Sequence, residues 1–269
     1  MTILDPRMNA VAIVDGQAIN VRDPDDAIAR VRTRLRAGRG FTFATLNLDH
    51  LVKLRTNAAF RAAYARMTLI SADGAPVAAL ARDQAANMRR ATGADLMRPL
   101  CEMAARENIP VAFFGSREET LKEAAIKLRS EFPALKVVFI ASPPQGFDPL
   151  STEAAAWGDR IAASGARLVF VSLGAPKQEV FADLIARKHA TIGFIGVGAA
   201  VDFIAGAVCR APRLMRALGM EWAWRAACEP RRLGWRYMQC AALLGRIMIE
   251  RRLLQARPAY SAQVHAAGE

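Results

Sequence analysis

Seven short apolar runs punctuate the chain: "AVAIV" at 10–14, "FTFATL" at 41–46, "MTLIS" at 67–71, "VAFFG" at 111–115, "KVVFI" at 136–140, "RLVFVSL" at 167–173 and "TIGFIGV" at 191–197. Between them lie stretches with helical patterning, and that alternation predicts a parallel sheet covered by helices. Helix starts are legible at Asp23 followed by Pro24, at Asn57, at Ser116 and at Pro176, each a capping or first-turn residue. Gly38 and Gly165 are expected stops.

After Gly198 the strand pattern ceases, and the chain continues as Arg-rich helical segments broken near Pro212 and Pro230. This predicts a catalytic-sized α/β domain over 1–205, a helical appendage over 206–258 and a disordered tail over 259–269. In the last helical segment Arg232, Arg236, Gln239, Arg246 and Glu250 share one side, while Tyr237, Ala241, Leu244 and Met248 share another. Such a face packs on its own protein or lies in a membrane interface, with Trp at headgroup level.

The length of 269 residues and the 53% hydrophobic content allow a sizeable core. Net charge changes the picture more: it is +12, carried by 31 Arg and only 6 Lys. Arginine suits forked contacts with phosphate oxygens, so an anionic partner is expected. From Arg210 to Arg257 there are eleven Arg and three acids, which places eight of the twelve net charges in the appendage. An anionic membrane surface fits this excess. Nucleic acid is not expected, because no recognition module is present and the aromatics cluster in one helical segment. The four cysteines have no paired spacing, which argues against a disulfide framework or a zinc site and suits a reducing cytosol. The longest charge-free apolar run, 190–201, is too short to span a bilayer, and no leader peptide is expected.

In open parallel sheets ligands sit beyond the carboxyl ends of the strands. Four such ends carry polar residues: Thr45, Asn47, Asp49 and His50; Asp73 and Gly74; Lys177, Gln178 and Glu179; and Gly196, Gly198 and Asp202. Asp73-Gly74 alone reads as a turn, yet a lone carboxylate near Thr45 and Asn47 could take a proton from a bound hydroxyl. Asn47 could equally cap the next helix. In "GAPKQE", Pro176 opens a helix whose first turn suits Glu179, whereas Lys177 opposes the macrodipole and suggests an anion such as phosphate. "GVGAAV" lacks the third glycine of a dinucleotide motif, no phosphate loop of the G-x-x-x-x-G-K type occurs, and the three histidines are unclustered. Neither a cofactor nor a metal is expected.

Nine stretches in order, "TLNLDHL", "ADGAPV", "RATGADL", "VAFFGS", "SLGAPKQE", "IGVGAAVDFIAG", "RAP", "GMEWAWR" and "EPRR", resemble the WecG/TagA/CpsF glycosyltransferases over about residues 10 to 240. The resemblance implies a Rossmann-like α/β enzyme that works without metal. It would move a sugar, of N-acetylmannosamine or glucose type, from a UDP-sugar donor to a polyprenyl-diphosphate-linked sugar, inverting the anomeric carbon. Such an enzyme would serve surface polysaccharide synthesis from the cytoplasmic face of the membrane. It further implies Asp73 as base, with Thr45, Asn47, Arg90 and Gln178 in the pocket and Arg225, Arg232 and Arg236 on diphosphate and membrane. Four positions depart from the family pattern: Ala72 precedes the Asp-Gly pair, Ala199 and Val201 replace a glycine and an aromatic, and Trp235 stands where arginine is usual. The competing reading is a non-catalytic membrane-surface module. Oligomeric state is left open, a homo-oligomer included.

Overall fold

The structure is a computed structural model describing residues 10–217 and 219–256; for Arg213, Ala217, Arg232, Leu254, Gln255 and Ala256 it describes the backbone alone. The expected tail at 259–269 lies outside the described residues. The first two strands, β1 (Ala12–Val14) and β2 (Gln17–Ile19), form an antiparallel hairpin. Asp15 and Gly16 turn it, at φ 48° and 75°, the left-handed pair that a two-residue hairpin loop demands. The run at 10–14 is thus no member of the parallel sheet. Ala12 and Val14 are buried while Ile13 between them is 48% exposed, and just after the hairpin Val21 forms a parallel bridge to Ser71 of that sheet.

The chain then alternates as the apolar runs predict: α1 (Pro24–Arg36), β3 (Phe41–Leu46), α2 (Leu48–Thr56), α3 (Ala58–Tyr64), β4 (Leu69–Ala72), α4 (Ala75–Arg82), α5 (Gly93–Arg106) and β5 (Val111–Gly115). It continues through α6 (Glu118–Glu131), β6 (Val137–Ala141), α7 (Thr152–Ala163), β7 (Leu168–Ser172), α8 (Lys177–Lys188), β8 (Gly193–Gly196) and α9 (Ala200–Ala205). Three helices follow, α10 (Arg213–Ala217), α11 (Glu221–Cys228) and α12 (Pro230–Ala256). The six-stranded sheet has the order β4-β3-β8-β7-β5-β6 and every pairing is parallel.

Alternate residues of each central strand enter opposite layers, as the pleat requires. Phe43, Phe113, Phe170 and Ile195 meet Val31, Leu100, Leu121 and Ile204 from α1, α5, α6 and α9. Ala44, Phe114, Val171 and Phe194 face the other way, toward α2, α3, α7 and α8. Both faces are covered, so β3, β5, β7 and β8 are buried throughout, which explains their near-continuous apolar sequences. The edge strand β6 is only partly buried.

The expected caps hold at Asp23 and Asn57, whose side chains accept from Asp26 and Phe60 backbone N–H groups. Ser116 differs. Arg117 occupies the cap position of α6, while Ser116 sits at φ 23° and spends its hydroxyl on Asp202, 2.7 Å away.

The segment after Gly206 shares the core of the sheet. Leu243 and Ile247 of α12 are buried in one cluster with Leu51 and Leu54 of α2. Two such side chains contribute on the order of 3–6 kcal/mol. That exceeds the half-exposed pair of Arg251 with Asp83, since exposed ion pairs are worth about 0–1 kcal/mol.

Candidate active site

A cavity of about 730 Å³ opens at the carboxyl ends of the sheet. Its floor is made by Thr45 of β3 and Asn47 after it, Asp73 after β4, Ser116 after β5, Ser172 of β7 and Gly198 after β8. The tail forms the opposite wall through Trp222 and Arg225 of α11 and Arg236 and Tyr237 of α12. Residues from both ends of the chain therefore face one space.

Asp73 is fixed at the floor by its backbone: its N–H donates to the Leu46 carbonyl at 2.7 Å, extending the β3–β4 ladder by one residue. Its Oδ2 accepts a hydrogen bond from Thr45 Oγ1 at 3.1 Å. Burial raises the carboxyl pKa to about 6; the Thr45 hydroxyl opposes that rise, Asp95 and Glu221 add to it, and Arg90 opposes it. A carboxylate poised near neutrality, within hydrogen-bond reach of the cavity, can accept a proton from a bound hydroxyl. Gly74 follows at φ 81° and ψ 147°, a conformation open essentially to glycine alone, and this turns the chain from β4 into α4.

Asn47 caps α2, with Oδ1 accepting from His50 N–H at 3.0 Å. Its carbonyl oxygen is thereby occupied, which leaves the NH₂ group as the donor available to the cavity. Arg90 borders the cavity 3.8 Å from Asp95 of α5 and donates to the Arg216 carbonyl at 3.2 Å, so it touches both α5 and the tail. Asp202, in the first turn of α9, lines the far end and holds Ser116. The Ser172 hydroxyl donates to the Gly198 carbonyl beside it.

The "PKQE" residues divide. Lys177 is half-buried at the first position of α8 and is not among the residues lining the cavity. Gln178 lines it but is buried and engaged: its Nε2 donates to Glu179 Oε1 at 2.7 Å, and its Oε1 accepts from Gly198 N–H at 3.2 Å. Gly196 makes room for this amide, since a Cβ there would stand 2.7 Å from Gln178 Nε2. Glu179 lies beneath the floor, 3.8 Å from His50 Nε2, while His50 Nδ1 shares a 2.6 Å hydrogen bond with the Tyr64 hydroxyl. Burial pushes Glu179 up to about 7 and His50 down to about 3, so the imidazole stays neutral.

Of the tail arginines, Arg225 lines the cavity and has no hydrogen bond or ion pair from its side chain among the described residues. Arg236 approaches Asp49 at 2.8 Å, and Asp49 is shared with Lys53 at 2.7 Å. The Arg232 side chain lies outside the described residues.

Several residues of this site are not among the candidates that the sequence pattern supplies. Tyr64 joins it only through its 2.6 Å hydrogen bond with His50, a contact that only the fold creates, whereas Ser116 and Ser172, at the ends of β5 and β7, line the cavity although the sequence pattern marks Ser116 only as a helix start and Ser172 not at all. Arg210 is another: it pairs with Asp95 at 2.6 Å and with Glu221 at 3.3 Å. Its one sequence signal is the "RAP" stretch. Among the described residues no group of three or more His, Cys, Asp or Glu is arranged to hold a metal ion. Compared with known families, residues 11–257 match the family model described as the Glycosyl transferase WecG/TagA/CpsF family.

Proposed function

Since the chain belongs to the WecG/TagA/CpsF family of glycosyl transferases, and so transfers a sugar from a donor to an acceptor, we propose that the donor is a UDP-sugar and the acceptor a polyprenyl-diphosphate-linked sugar. The observation that carries this reading is that Asp73, held by Thr45, and Arg225 of the tail line one cavity.

In this reading the acceptor hydroxyl attacks the anomeric carbon from the face opposite the diphosphate. A new C–O bond forms as the bond to the UDP oxygen breaks, UDP leaves with the electron pair, and the hydroxyl proton passes to Asp73. The anomeric centre inverts. Thr45 and the Asn47 NH₂ group hold the reacting groups in register. Arg225, with Arg232 and Arg236 of α12, takes up the negative charge gathering on UDP, the part a divalent cation plays elsewhere. Gln178 shapes the floor by holding Gly198, and Asp202 and Ser116 contact the donor at the far end. Lys177 is left to favour anions at the rim.

In the same reading the appendage docks the enzyme on the cytoplasmic face of the membrane. No helix is long and apolar enough to cross a bilayer among the described residues. Yet Leu214 (71% exposed), Trp235 (67%) and Leu253 (63%) stand out from arginine-rich helices. Apolar side chains set among cations suit an anionic headgroup surface, where each arginine adds about 1 kcal/mol.

Incubating the protein with a panel of UDP-sugars and a prenyl-diphosphate-linked glucosamine or glucose acceptor tests the reading. One donor should yield a lipid-linked disaccharide of inverted configuration. No transfer from any UDP-sugar, with transfer from another nucleotide sugar, would refute the donor assignment.

A further inference from the structure

Arg225 and Asp73 can act on one substrate only while α11 stays seated against the same cavity. The geometry points to Arg210 as the positioning residue that seats α11 over Asp73, an inference resting on Asp73 as the base. Arg210 is the meeting point of three helices. Its guanidinium pairs with Asp95 of α5 at 2.6 Å and with Glu221, the first residue of α11, at 3.3 Å, and lies 5.7 Å over the ring of Phe203 in α9.

The pairs are partly withdrawn from water, with Arg210 and Glu221 side chains each 20% exposed and Asp95 29%. Ion pairs in such settings are screened less than surface pairs, and removing one partner strands the other charge. Asp95 shows the coupling: burial pushes its carboxyl up, but Arg210, joined by Thr92 and Arg90, holds it below the usual carboxylate range.

Two further contacts set the same approach. Trp224 Nε1 of α11 donates to the Cys209 carbonyl at 3.4 Å, next to Arg210. Just before α11 the chain crosses α4 at Gly219, where φ is 73° and a Cβ would stand 2.4 Å from Ala75 Cβ, two residues beyond Asp73. The tail thus passes beside the start of α4 two residues before Glu221, the residue that Arg210 clamps. The anchor of α12 is separate, through Leu243 and Ile247 on α2. Release of the clamp frees α11 while α12 stays docked.

The test compares wild type, Arg210→Ala, Arg210→Lys and Glu221→Gln in the full chain, by hydrogen exchange of the 221–228 and 168–172 segments and by kcat/KM for transfer. Arg210→Ala should speed exchange in 221–228, leave 168–172 protected and lower kcat/KM about tenfold or more, by loss of a charge-assisted pair. Arg210→Lys should recover part of both effects, and Glu221→Gln should reproduce them weakly. Should Arg210→Ala fold poorly, Glu221→Gln carries the same comparison, since it removes one arm of the clamp only. Unchanged exchange in 221–228 in the variants that fold would overturn the assignment. The exchange readout needs no turnover, so it stands or falls separately from the role of Asp73.

Discussion

Thr45 Oγ1 donates to Asp73 Oδ2 at 3.1 Å across two neighbouring parallel strands whose register sets Thr45 opposite Ser71. The donor favours the ionised carboxylate, which is the form a general base must have. Activity should therefore rise with pH through about 6, the value to which burial carries Asp73. Thr45→Val deletes the donor at constant shape. It should move the acid limb of kcat/KM to higher pH and lower the plateau about 10- to 100-fold, the worth of a hydrogen bond to a charged group. Thr45→Ser should restore the limb. A pH profile of Thr45→Val that overlays wild type contradicts the assigned contact.

Arg225 enters the same cavity from α11 with no partner for its guanidinium among the described residues. Titration calorimetry with UDP should show affinity about 10- to 100-fold weaker in Arg225→Ala, with a shallower salt dependence. Arg225→Lys should recover only part, because the planar fork is lost. Equal UDP affinity in all three proteins would place the diphosphate elsewhere.

Glu179 provides a test by stability. Its pKa is raised from 4.5 to about 7 in the folded state, so between those values the folded chain holds a proton that the unfolded chain has released. Folding stability from this group is complete below about pH 4.5 and is lost as pH rises toward 7. His50, lowered from 6.5 to about 3, acts in the opposite sense and costs stability as pH falls below 6.5. Glu179→Gln removes the first effect alone. Its melting temperature relative to wild type should climb between pH 5 and 8, by the equivalent of a few kcal/mol. A constant difference across that range would show that Glu179 is ionised in the fold.

Gly196→Ala would put a Cβ 2.7 Å from Gln178 Nε2 and 3.0 Å from its Cδ. Neither atom can retreat freely, because the amide is tied to Glu179 and Gly198. The variant should lose about 1–3 kcal/mol in denaturant unfolding, as overpacked cores do, and lose transfer activity through the displaced Gly198 loop. Unaltered kcat/KM would separate Gln178 from the working floor.

How far the site can be read from the chain alone depends on the range of each contact. The runs of β3, β5 and β7 are unmistakable because both faces of those strands are covered, and Asp73 and Thr45 stand where such strands end. The run at 10–14 looks the same locally, yet Asp15-Gly16 turns it into a hairpin. Within the first turn of α8, rotation about the axis decides which side chain meets the cavity. It sends Gln178 inward and leaves Lys177 outside, a distinction that adjacent positions in a sequence do not carry. Arg210 is the extreme case: the arginine excess is visible from composition, but the partner that gives this one its role lies 115 residues earlier.

The measurement that bears most directly on the account is kcat/KM for sugar transfer as a function of pH in wild type and Asp73→Asn. Wild type should show an acid limb with a midpoint near 6. Asp73→Asn should fall about 10²- to 10⁴-fold and lose that limb, while still binding UDP. Turnover in Asp73→Asn close to wild type, with the limb intact, would contradict the claim that this carboxylate takes the acceptor proton.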